Sequence, residues 1–209
     1  MSTKIKCAPN GPLIVEGDCP LISSSGEESN IEGKKALCRC GASSMKPLCD
    51  GSHVGIGFSD KNESDSGKNR KRPYEGKKIT VFHNKELCTH AARCVAGSPD
   101  VFDPGKNPWI QPDNSEDIQK LQETLLKCPS GALSFKVEGE EEVSDFGLGE
   151  EKIRIARDGP YYVEGSIELE DTQFAEGASH EHYSLCRCGK SRNKPFCDGY
   201  HHDIGFKSE

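Results

Sequence analysis

Apolar residues in this chain fall mostly in short alternating runs between polar, glycine-rich breaks, and one stretch keeps clear helical spacing. GPLIVEG (11–17) and GPYYVEG (159–165) read as strands within strand-rich segments. Between them, KITVF (78–82) and ALSFKVE (132–138) read as strands, as do the stretches around Val101–Asp103 and Trp109–Gln111. A short helix is expected after Cys88. The helical stretch has Ile118, Leu121, Leu125 and Leu126 on one stripe, with Asn114 or Ser115 as its cap and Glu116 and Asp117 in its first turn. A stripe of this kind is a core face.

The chain repeats itself. GPLIVEG returns as GPYYVEG, and LCRCGASSMKPLCDGSHVGIGF (37–58) returns as LCRCGKSRNKPFCDGYHHDIGF (185–206), both at an offset of 148 residues. The divergent stretches inside each copy (18–36 and 166–184) are equal in length, so whole modules are duplicated. Two compositional breaks set off the segment between them. Residues 59–76 are polar and then basic, while residues 139–151 are acidic, and both read as exposed linkers. The expected division is a first module at 1–58, a linker at 59–76, a middle domain at 77–138, an acidic linker at 139–151 and a second module at 152–209. The opposite linker charges leave open whether the two stretches meet. KNRKRP within the first reads as a solvated connector.

Composition narrows the class. Only 40 of 209 residues are Leu, Ile, Val or Phe, just below the ~20% at which a conventional core becomes hard to build. A net charge of -7 argues against a dedicated nucleic-acid binder. No apolar run approaches the ~20 residues of a membrane span. MSTKIKCAPNG lacks the apolar region of a secretory signal, so a reducing, cytoplasmic setting is expected. There the eleven cysteines point to metal rather than disulfides.

In the first module the candidate donors are Cys38, Cys40, Cys49 and His53; in the second, Cys186, Cys188, Cys197 and His201. Cys49 and His53 stand four residues apart, so a helical turn starting near Asp50 and Gly51 places both on one face. Zinc accepts three cysteines and one histidine but usually through C-x2-C knuckles. An iron-sulfur cluster accommodates C-x-C more readily.

The run CRCGASSMKPLCDGSH, from Cys38 to His53, resembles position by position the CDGSH signature of the NEET iron-sulfur proteins. The second copy departs from it at Tyr200, where a small residue is usual. The resemblance implies a 2Fe-2S cluster in each module, with Cys38 and Cys40, or Cys186 and Cys188, on an inner iron. Cys49 and His53, or Cys197 and His201, would hold the outer iron, with Ser43, Asp50, Ser191 and Asp198 supporting the ligands. It also implies an α+β fold in which a small β-cap sits above a cluster-binding turn and helix, usually as a homodimer with interlocked strands. Two modules in one chain imply that this pairing is intramolecular and the protein a monomer. A neutral imidazole ligand raises cluster potential, and its protonation makes the cluster acid-labile.

In the middle segment, CTHAARC (88–94), VFDPGKNPWIQPD (101–113) and CPSGALSF (128–135) resemble divergent single-cluster ferredoxins. The resemblance makes Cys88, Cys94 and Cys128 cluster ligands. The usual second ligand position, three residues after Cys88, holds Ala91, so His90 either closes a 4Fe-4S site, leaves it 3Fe-4S, or is an ordinary polar loop residue in some other metal arrangement. Cys7 and Cys19 read as structural, and His83, His180, His182 and His202 as surface or satisfied residues, His202 being the one able to compete as a ligand. Trp109 reads as core. No nucleophile elbow, phosphate loop or dinucleotide fingerprint appears. The expected protein is therefore not an enzyme but a one-electron carrier or, alternatively, a donor of clusters to apo-acceptors, with redox proteins or apo iron-sulfur proteins as partners.

Overall fold

The computed structural model describes residues 2–64, 69–145, 147 and 149–208. Its secondary structure is mixed α+β, dominated by short strands in three sheets. The first copy of the repeat supplies β1 (Lys4–Cys7), β2 (Leu13–Glu16), β3 (Cys19–Ile22), β4 (Glu28–Ile31), β5 (Lys34–Leu37) and the one-turn helix α1 (Ser52–Gly55). The middle segment supplies β6 (Arg72–Tyr74), β7 (Ile79–His83), α2 (Arg93–Gly97), α3 (Ile118–Leu125), β8 (Leu133–Val137) and β9 (Glu142–Val143). The second copy supplies β10 (Lys152–Ile155), β11 (Tyr161–Glu164), β12 (Glu168–Leu169) and β13 (His182–Leu185). Among the described residues no helix is long and apolar enough to cross a membrane.

The two copies exchange strands. One sheet runs β12-β1-β2-β5 and the next β13-β11-β10-β3-β4. β12 lies parallel to β1 with Leu169 opposite Ile5, and β3 lies parallel to β10 with Leu21 opposite Ile153. These are one pairing seen twice at the repeat offset, so the copies interlock reciprocally. Strand alternation then turns Ile5, Leu13, Val15, Leu21 and Leu37 into the same cluster as Ile153, Tyr161, Val163, Leu169 and Leu185. A shared core relieves the shortage of apolar surface that a module of about 60 residues faces alone. The buried Tyr161 hydroxyl crosses between copies, donating to the carbonyls of Cys38 (2.8 Å) and Pro47 (3.2 Å).

The middle sheet runs β6-β7-β8-β9 and packs Val81 and Phe135 against Leu121 and Leu125 of α3. Both stretches expected to be exposed linkers contribute to it, since β6 lies within 59–76 and β9 within 139–151. Their opposite charges do meet, as Lys71 pairs with Glu142. The strands expected around Val101 and Trp109 shrink to one bridge between Phe102 and Ile110, framed by Asp103 N–H to Trp109 O and Gln111 N–H to Val101 O, both 2.8 Å. Pro104 and Pro108 offer no donors and Pro112 opens a 3-10 turn over Pro112–Asn114, so the ladder cannot lengthen. That turn also moves the α3 cap. Asp117, not Asn114 or Ser115, accepts from the Lys120 N–H at 3.1 Å. The helical turn expected at Asp50 begins at Ser52, and the matching stretch of the second copy stays a series of turns.

Candidate metal centres

Each C-x-C follows the last strand of its module, and each C-D-G-x-H loop folds back beside it. Cys38 N–H donates to Pro47 O at 2.8 Å and Cys49 N–H to Ala36 O at 2.9 Å; Cys186 to Pro195 O and Cys197 to Ser184 O repeat this at 2.9 Å each. The donors thereby fall into pairs. Cys38 and Cys40 sulfurs are 3.6 Å apart, and Cys186 and Cys188 sulfurs 3.8 Å. Cys49 Sγ lies 3.4 Å from His53 Nδ1, and Cys197 Sγ 3.4 Å from His201 Nδ1. Two thiolates at roughly 2.3 Å from one tetrahedral metal stand about 3.7 Å apart, so each pair has the spacing of donors sharing a single metal. Among the described residues no three His, Cys, Asp or Glu side chains converge on one point. Each module therefore offers two pairs and not one closed set of four, an arrangement that fits a two-iron group.

Supporting contacts repeat in both copies. Ser43 and Ser191 donate to the carbonyls of Leu48 and Phe196 (2.6 and 2.7 Å) and brace the loop that carries the outer cysteine. Asp50 accepts from the N–H groups of Ser44 (2.8 Å) and Ser52 (3.0 Å), and Asp198 from those of Arg192 (2.9 Å) and Tyr200 (3.1 Å). Each aspartate thus ties two parts of the ligand loop together. Tyr200 is accommodated beneath Arg192, whose guanidinium lies 5.1 Å from the ring centroid.

The middle residue of each C-R-C is arginine in both copies, a recurrence at the repeat offset that is the one sequence signal of its role. Arg39 and Arg187 are both 3% exposed. Arg39 Nε donates to Gly11 O at 2.6 Å and Arg187 Nε to Gly159 O at 2.8 Å. Each locks the C-x-C to the G-P turn that opens its module, Arg39 also pairing with Asp60 at 2.9 Å.

The environments of the two outer pairs differ. Cys49 and His53 are half-buried, whereas Cys197 and His201 are buried. Burial holds the His201 imidazole down at about 4, with His202 and His90 adding to it. Burial also pushes the Cys197 thiol well up. In the Cys186–Cys188 pair their shared hydrogen bond lowers Cys186 and raises Cys188, so Cys186 is the readier of the two to carry charge.

In the middle segment Cys88, Cys94 and Cys128 line one cavity of about 580 Å³. They come from the end of a 3-10 turn, from α2 and from the loop after α3. Burial first, then the neighbouring Cys128, pushes Cys88 up to about 12. A cavity lined by three thiols suits the thiolate-rich binding of an iron-sulfur group. His90 is exposed, with a left-handed backbone (φ 55°), and it too borders the cavity while its ring lies near-parallel to that of His202, centroids 6.3 Å apart. His83 also lines this cavity, is 7% exposed and leaves Nε2 without a partner among the described residues. The expectation that His83 is a surface or satisfied residue is therefore corrected. Its role depends on β7 passing behind the cysteine loop, which its sequence position does not reveal. Trp109 is half-buried, meets His83 edge-on at 5.0 Å and donates to Tyr74 Oη at 3.1 Å. Cys19 lies in the shared core, its thiol raised to about 11 by burial, and Cys7 packs against that core.

Comparison with known proteins covers all three segments. The family described as iron-binding zinc finger, CDGSH type, matches residues 10–54 and 158–202, and that described as divergent 4Fe-4S mono-cluster matches residues 74–138. The uncharacterized protein YjdI of Escherichia coli K12 is 38% identical over 65 residues, which are 31% of this chain and 84% of YjdI; YjdI of E. coli O157:H7 gives the same figures. No solved structure matches. The duplicated cysteine-histidine loops and the thiol-lined middle cavity thus coincide with segments that these families recognise independently, and the chain belongs to the CDGSH-type iron-binding proteins, with a divergent 4Fe-4S mono-cluster domain between its two modules.

Proposed function

We propose that this iron-sulfur protein is a one-electron carrier with three clusters. Cys38, Cys40, Cys49 and His53 would hold one 2Fe-2S group and Cys186, Cys188, Cys197 and His201 a second. Cys88, Cys94 and Cys128 would hold the third, a 4Fe-4S group if His90 joins them and a 3Fe-4S group if it does not. The observation that carries this reading is the division of each CDGSH donor set into two pairs, each spaced for one metal. Such groups supply reversible one-electron chemistry. The chain's part is to fix the two C-x-C turns through Arg39 and Arg187 and to keep water from His201. The reciprocal strand exchange supports a monomer in which the modules pair with each other.

Iron and acid-labile sulfide measured on anaerobically purified protein should give about 7 to 8 irons per chain. Electron paramagnetic resonance before and after dithionite should then show reducible signals. About 4 irons would remove the middle group from the proposal. In a His90→Ala variant, an unchanged three-iron signal in the oxidised sample would take His90 out of the site.

The half-burial of Cys49 and His53 favours a second reading at the first module alone, release of its cluster to an apo-acceptor. Mixing holo-protein with an apo-ferredoxin tests it. Transfer of one cluster's worth of iron supports the donor role; reduction without iron loss rejects it.

A further inference from the structure

The contacts between the three donor sets fall in one order. Where the CDGSH modules approach each other, the inner cysteines Cys40 and Cys188 face one another in an isolated antiparallel bridge. The glycines beside them permit it: a Cβ on Gly41 would stand 2.7 Å from Cys188 O, and one on Gly189 2.4 Å from Cys40 O. The outer pair of the second module meets the middle segment instead. Gly199, between Cys197 and His201, lies so close to Cys88 that a Cβ would stand 2.8 Å from the Cys88 carbonyl oxygen and 3.1 Å from the His90 ring. His202 continues the junction, its ring centroid 4.2 Å from that of His201 and 6.3 Å from that of His90. The outer pair of the first module has no counterpart to this. A Cβ on Gly51, the equivalent of Gly199, meets nothing within 4 Å, and Val54, the equivalent of His202, is 76% exposed.

We propose that the three donor sets stand in single file. Among the described residues the middle set meets the outer pair of the second module, through Cys88–Gly199 and the row His90–His202–His201, and no other donor pair. The inner cysteines of the two modules come next, and Cys49 with His53 forms the open end. The inference rests on the reading that all three sets hold iron-sulfur groups, and it adds that the two CDGSH modules are magnetically unequal.

The test is power saturation of the electron paramagnetic resonance signals of the full chain, loaded and fully reduced with dithionite. His201→Cys and His53→Cys, which exchange an imidazole for a thiolate and keep a ligand in place, assign the two CDGSH signals by displacing one each. Coupling between the two modules is mutual, so the part of any difference that emptying the middle site abolishes reports the middle group. The signal displaced by His201→Cys should need several-fold more power to saturate than the signal displaced by His53→Cys. That difference should vanish when Cys94→Ala and Cys128→Ala together empty the middle site. Equal saturation in a chain with its full iron content, or faster relaxation of the first module, overturns the single-file order. Failure of the three-cluster reading shows separately, as missing iron before any spectrum is compared.

Discussion

Burial holds His83 neutral at the back of the middle cavity, its imidazole brought down to about 4. The unfolded chain takes up that proton near pH 6.5, so it binds more protons than the folded chain between pH 6.5 and 4, and stability declines as pH falls through that window. One pKa unit is worth 1.36 kcal/mol, so His83 alone should account for about 2 kcal/mol lost between pH 7 and pH 5. In His83→Phe, urea unfolding at the two pH values should show a loss smaller by about that amount, and an undiminished loss would place the acid sensitivity elsewhere. At this scale the sequence was informative wherever chemistry was local. The donors of the CDGSH loops lie within sixteen residues of one another, from Cys38 to His53, and their spacing alone announces them. Residues acting across elements were silent: His83 from β7 and Arg39 on the G-P turn owe their positions to tertiary packing that leaves no spacing to read.

Among the elements, α3 was the clearest in the sequence, because Leu121 and Leu125 repeat at helical spacing and both are fully buried. Its start was less legible, since Asn114, Ser115 and Asp117 are all good caps and a local pattern cannot rank them. The 3-10 turn opened by Pro112 decides the matter: Asn114 Nδ2 donates to Asp100 O at 3.0 Å, leaving the cap to Asp117. Asp117→Ala should therefore cost about 1 kcal/mol in thermal or urea unfolding, whereas Ser115→Ala should cost little of it. The reverse ranking would mean that the helix begins a turn earlier. The pattern around Val101 and Trp109 promises more strand than the single Phe102–Ile110 bridge delivers, for a related reason. Alternation there is real, but Pro104, Pro108 and Pro112 withdraw the donors that a ladder needs.

For the molecule as a whole, alternation in β1, β3, β10 and β12 fits a closed module and an exchanged pair equally well, so the strand exchange follows from neither periodicity nor composition. It follows from the register, Ile5 to Leu169 and Leu21 to Ile153, which joins strands from opposite ends of the chain. A first module expressed alone over residues 1–64 would keep β1 on β2 and β3 on β4 but leave the other edge of β1 and of β3 unpaired, and unpaired strand edges recruit other chains. It should sediment as a dimer that substitutes a second copy for the missing β10 and β12; a folded monomer would show that each module closes on itself.

The same exchange sets a schedule for biosynthesis. β3 is complete at Ile22, yet its partner β10 ends only at Ile155. At about 5–20 residues per second the wait is on the order of ten seconds. Throughout it, the first module exposes an edge and half of a core whose other half has not been translated. Iron delivery to the first module within its own chain is thereby tied to synthesis of β10 and β12: a product cut short before them could shelter its cysteines only by recruiting a second copy.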